Sequence, residues 1–80
     1  MTDKDNIQRY VDAGYTHLVE YETWAPILKI WAYSRIPTTA DAVVLHESAC
    51  SIRVRHGEIR DVRITLLSIV LTRHENEDHN

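Results

Sequence analysis

Apolar positions along this chain recur with different periods, and each period predicts an element. Between Asp3 and Ala13, Ile7, Tyr10 and Val11 fall at i, i+3 and i+4, the stripe of a short helix. Asp3 or Asp5 caps its start by accepting amide hydrogens of the first turn. Gly14 stops it, since glycine takes the left-handed conformation cheaply. Thr16 to Glu22 alternates: His17, Val19 and Tyr21 point one way, Leu18 and Glu20 the other, which predicts a strand. Ile27 to Arg35 supports two readings. A helix with Pro26 at its first position would align Ile27, Ile30 and Trp31. A strand would set Ile27, Lys29, Trp31 and Tyr33 against Leu28, Ile30, Ala32 and Ser34, and the aromatic and β-branched content favours it.

Pro37-Thr38-Thr39 reads as a break and Ala42 to His46 as an extended run. Ser51 to Ile64 reads as a hairpin, with His56-Gly57-Glu58 as its turn and Gly57 free to take positive φ. A three-residue loop sets Arg53 opposite Asp61 and Ile52 opposite Val62, with charges on one face and apolar groups on the other. Ile64 to Thr72 changes phase and is apolar on both faces. Such a strand is central, bulged or covered by a partner. The expected fold is α+β: a short N-terminal helix followed by a curved antiparallel sheet or small barrel, with a homodimer contact as a further expectation.

Size narrows this. Eighty residues make a single domain over 1–80, with ends 1–6 and 74–80 expected to fray. A chain this short buries only about 60–65% of its unfolded surface, so a metal, a disulfide or a partner subunit would help. Composition, 44% apolar and 26% charged, is that of a globular chain rather than a disordered one. The longest uncharged run, Ile64 to Thr72, is far too short to span a membrane. The polar start Met1-Thr2-Asp3-Lys4-Asp5 does not read as a signal peptide. One cysteine, Cys50, cannot form an internal disulfide, which points to the cytoplasm. The net charge of −3 argues against bulk electrostatic binding to nucleic acid.

Few residues suggest chemistry. The five histidines are scattered, and His74 and His79 lie in an acidic tail without a cysteine pair to complete a metal site. Cys50 sits on an apolar face and reads as a small buried hydrophobe. The two glycines make no phosphate loop. The expectation is therefore a non-enzyme without cofactor or metal. Binding chemistry is better represented. Trp24 and Trp31 are large anchors for a partner, with Trp24 placed in the presumed turn Thr23-Trp24-Ala25-Pro26. Glu20, Glu22 and Asp12 add steering charge. Arg53, Arg55, Arg60 and Arg63 would form a ridge on the hairpin, the basis of an alternative function in binding nucleic acid backbone.

The stretch Gly57-Glu58-Ile59-Arg60-Asp61-Val62-Arg63-Ile64, followed by Ile69, resembles the final hairpin of the Rof family. These are small proteins that bind and inhibit the transcription terminator Rho. A helix containing Asp5-Asn6-Ile7 and a strand opening with His17-Leu18 extend the likeness. The chain departs from the family at Trp24-Ala25-Pro26, where a polar, glycine-bearing turn is common. The resemblance implies an Sm-like barrel whose acidic residues compete for a nucleic-acid-binding surface. The expected function is a small regulatory or inhibitory protein, of the kind common among phage and plasmid accessory regulators. It would bind and occlude a larger protein of nucleic-acid metabolism.

Overall fold

The structure, a computed structural model, describes residues 3–78. In chain order it has α1 (Asp3–Asp12), β1 (His17–Ala25), β2 (Ile30–Thr38), a 3₁₀ turn (Ala40–Ala42), α2 (Val43–Arg55), β3 (Ile59–Leu66) and α3 (Leu67–Asp78). The three strands form one antiparallel sheet in the order β2-β1-β3. The fold is α+β, as the sequence predicts. The sheet is open, with β2 and β3 as its edges, so the barrel alternative is not formed.

The central strand is buried on both faces because alternation sends consecutive apolar residues to opposite sides. Leu18 packs with Ile7 of α1 and with Leu67 and Val70 of α3. Val19 packs with Cys50 of α2 and Ile59 of β3, supported by Tyr21, Val62 and Ile64. Thus α1 and α3 cover one end of one face, and α2 covers part of the other. Asp3 ties the first layer together, meeting the Arg35 guanidinium at 2.7 Å and His74 Nε2 at 3.3 Å. The Arg35 bond holds the Asp3 carboxyl below the usual carboxylate range, and Asp3 in turn holds Arg35 more firmly in its charged form.

The C-terminal ends of α1 and α2 are built alike. After α1, Gly14 N–H bonds Val11 C=O and Tyr15 N–H bonds Tyr10 C=O. After α2, Gly57 N–H bonds Val54 C=O and Glu58 N–H bonds Arg53 C=O. Each is a Schellman motif, in which a left-handed residue returns two amide hydrogens to the last turn. Gly14 (φ 96°) and Gly57 (φ 74°) supply that conformation. The flanking side chains lock each motif, Tyr10 edge-on to Tyr15 in the first and Arg53 ion-paired to Glu58 at 3.5 Å in the second.

Five expectations are corrected. Ala42 to His46 is not extended, and Ser51 to Arg55 is not the first arm of a hairpin; both belong to the 3₁₀ turn and α2. Arg53 and Ile52 therefore do not pair with Asp61 and Val62. The β-branched residues that suggested strands are overridden by a helix whose Cys50 face docks on the sheet. Ile64 to Thr72 is not one strand. It is the end of β3 and the start of α3, each with its own period: Leu67, Val70, Leu71 and His74 follow helical spacing. Pro37 does not break the chain but lies in β2, tolerated because β2 is an edge. Trp24 is in β1, paired with Trp31, and the turn lies beyond it at residues 26–29.

Candidate functional site

Strand β3 is shorter than the hairpin beside it. It begins at Ile59, opposite Thr23, so the pairs Trp24↔Trp31 and Ala25↔Ile30 continue past it as a two-stranded arm. The arm is fastened at its root, where Trp24 N–H donates to the Glu58 carbonyl at 3.1 Å. Its tip closes with Lys29 N–H donating to the Ala25 carbonyl at 2.7 Å, and Lys29 takes φ 56°. The tip side chains are apolar and bare: Ile27 is 94% exposed and Leu28 70%, with Ile30 also exposed.

The two tryptophans sit side by side on one face, ring centroids 5.4 Å apart and tilted by 56°. The Arg60 guanidinium reaches across the sheet to lie 4.3 Å from the Trp31 ring centre, within cation–π range. Trp31 is thereby half-buried between its neighbours, whereas Trp24 remains 41% exposed. Of the two expected anchors, Trp24 is the one a partner can reach.

Next to the tryptophans a groove of about 310 Å³ is lined by Glu20, Glu22, Trp31, Tyr33, Asp61 and Arg63. A β-bulge makes this composition possible. Glu20 pairs with Arg63 and Glu22 with Arg60, so Asp61 and Val62 together oppose Tyr21. Asp61 adopts φ 55° to accommodate the extra residue. The bulge brings Arg60 and Arg63, three residues apart, to the same face as Glu20 and Glu22. It simultaneously turns Ile59, Val62 and Ile64 inward to the α2 side.

Within the groove the Tyr33 hydroxyl donates to Glu20 Oε2 at 2.7 Å. Partial desolvation, then the charge and hydrogen bond of Glu20, push the Tyr33 phenol up to about 12. It stays protonated at neutral pH and serves as a donor, not as a nucleophile or base. Arg60 approaches Glu22 at 3.5 Å and Asp61 at 3.7 Å. Three carboxylates against two guanidiniums leave the groove mildly acidic. With flat aromatic walls, it suits a basic or aromatic side chain from a partner.

Glu20, Glu22, Trp24 and Trp31 are thus brought together. Asp12 is not: it lies at the far end of α1, accepting from Gln8 Nε2 at 2.9 Å. The arginine ridge is not formed either, because its hairpin does not exist. Arg53 stands on α2 with its guanidinium 5.4 Å from the Tyr21 ring centre, on the other side of the sheet from Arg60 and Arg63. Arg55 lines a crevice between α2 and β3. Cys50 is buried, as expected of a small hydrophobe. His17 lies in β1, His46 in α2, His56 at the C-cap of α2 and His74 in α3, with no metal-binding cluster among the described residues, and His79 lies outside them. Sequence reasoning missed Ile27, Leu28, Tyr33 and Asp61. The available signal was Pro26-Ile27-Leu28-Lys29, an apolar pair beside a proline, where a turn would ordinarily be polar. No protein-family model, curated protein or solved structure matches this chain.

Proposed function

We propose that this chain is a small non-enzymatic binding protein that docks a larger protein through the β1–β2 arm. It regulates that partner by occluding it. The observation that carries this reading is the bare Ile27–Leu28 tip. Two large aliphatic side chains held in solvent at the end of an anchored arm cost free energy in the isolated chain, and a partner pocket recovers it. Trp24 extends the apolar contact along the arm, and such aromatic residues dominate binding energy at interfaces. Glu20 and Glu22 favour a partner with basic side chains beside its apolar pocket. The resemblance to the Rof family makes a protein of nucleic-acid metabolism the partner class of choice and Rho the first bait.

The test is affinity of the purified chain for Rho, and for any stoichiometric partner recovered from nuclease-treated lysate. An Ile27→Asp/Leu28→Asp double variant should lose at least about 100-fold in affinity, as expected for central apolar anchors. Both side chains face solvent, so circular dichroism should be unchanged. Undiminished affinity in the double variant would remove the arm from the interface. Recovery that depends on nucleic acid would remove the protein partner itself.

A further inference from the structure

Helix α2 carries apolar residues on opposite sides. Cys50 turns inward and is buried against Val19 and Ile59. Leu45, Ser48, Ala49 and Ile52, at i, i+3, i+4 and i+7, turn away from the sheet, and all four are exposed. Leu45 is 71% and Ile52 52% exposed. Leu45 and Ile52 thus leave large apolar side chains on the side of α2 that the sheet does not cover.

The residue sizes along the outer stripe fit a second copy of the chain as its cover. Read from either end it is one large residue, two others, two small residues, two others and one large residue. A two-fold axis passing between Ser48 and Ala49 therefore pairs the stripe with itself. Leu45 of each copy meets Ile52 of the other, and Ser48 meets Ala49 at the centre, where small side chains let the two backbones approach. Such self-complementarity is the requirement of an isologous dimer. Charge obeys the same axis. An antiparallel pairing brings Asp41, just before α2, to the Arg55 end of the other copy, and opposes the two helix dipoles. A parallel pairing would instead place the Arg53 and Arg55 turns of both copies side by side.

The chain also has a use for the added burial. Only seven apolar residues of the described chain are buried, and the sheet divides them into two clusters. Chains of this size commonly recruit a subunit to supplement such a core. We propose that α2 is the seam of a two-fold antiparallel homodimer, formed by Leu45, Ser48, Ala49 and Ile52. This surface is separate from the β1–β2 arm.

Sedimentation equilibrium of the full chain across a concentration series tests this. The wild type should sediment as two 9.3 kDa chains, and Leu45→Glu should weaken association at least about 100-fold, since symmetry introduces each carboxylate twice. Leu45 is exposed, so the monomeric variant should keep its circular dichroism. Ile27→Asp/Leu28→Asp should remain dimeric. A second measurement does not depend on folding of the charge variant: oxidation should crosslink Ser48→Cys to a covalent dimer but leave Ile27→Cys uncrosslinked. A wild type that stays monomeric throughout would overturn the proposal. So would Leu45→Glu associating as tightly as the wild type, or crosslinking of Ile27→Cys equal to that of Ser48→Cys.

Discussion

At the scale of single residues, the binding face is governed by what each polar group finds beside it. Tyr33 shows this most directly. Its ring is exposed, yet its hydroxyl is drawn into the groove by Glu20 Oε2. Desolvation and the neighbouring carboxylate together raise its phenol from the ordinary value of 10 to about 12. A group whose folded pKa lies above its unfolded one adds stability that is complete below the unfolded value. That stability is lost as pH rises through the folded value. Tyr33 therefore favours the folded chain fully below pH 10 and ceases to do so as pH climbs from 10 towards 12. Near-ultraviolet titration should reveal a late-ionising tyrosine that Tyr33→Phe abolishes. Glu20→Gln should bring it only part of the way down, because desolvation, the largest single cause, remains. A complete return to the ordinary value in Glu20→Gln would assign the whole effect to the carboxylate.

At the scale of elements, the difference between what was legible in the sequence and what was not lies in local punctuation and phase. The bulge in β3 is a case of phase. Strict alternation would place Ile59 and Val62 on opposite faces, and only the inserted Asp61 lets both reach the α2 side. The left-handed conformation costs an ordinary L-residue about 1–2 kcal/mol; aspartate tolerates it better, and a β-branched residue worst. Asp61→Gly should thus retain wild-type stability to within about 1 kcal/mol, whereas Asp61→Val should lose about 2 kcal/mol, read from urea unfolding. Equal midpoints for both variants would mean that β3 does not need this conformation. The two glycines show the limits of punctuation. Gly14 was readable as a helix stop because Ile7, Tyr10 and Val11 announce a helix before it. Gly57 performs the same task, yet α2 is apolar on both sides and β-branched, so no single stripe announced it. Arg53 and Arg55 in its last turn were the overlooked cue, since cations favour a helix C-terminus. β1 was legible from its loose alternation; the aromatic and β-branched content favoured a strand over a helix for β2, but its start at Ile27 was misplaced, since residues 26–29 form the turn. The split of 64–72 between β3 and α3 was not legible, because one continuous apolar run holds two periods.

At the scale of the whole molecule, exposure depends on where distant segments end, and that is why half of the candidate site escaped the sequence. The tryptophans and glutamates were identifiable by type. The bareness of Ile27 and Leu28 follows from β3 starting no further out than Thr23, a fact of tertiary pairing that no local pattern encodes. The same holds for the outer stripe of α2, visible as a stripe only once 43–55 is known to be helical. The two surfaces together have a consequence that neither has alone. A dimer joined along α2 carries two arms. If both arms reach partner molecules held on a surface, the second contact is intramolecular, and apparent affinity rises by roughly 10²–10⁴ without any new contact. On a densely loaded partner surface the wild type should therefore dissociate far more slowly than Leu45→Glu. At sparse loading, where only one arm engages, the two should dissociate alike. Ile27→Asp/Leu28→Asp should fail at both densities while remaining dimeric. Equal dissociation of wild type and Leu45→Glu at every density would show that the paired arms never act together. The arm would then operate as a single-site anchor whatever the α2 stripe does.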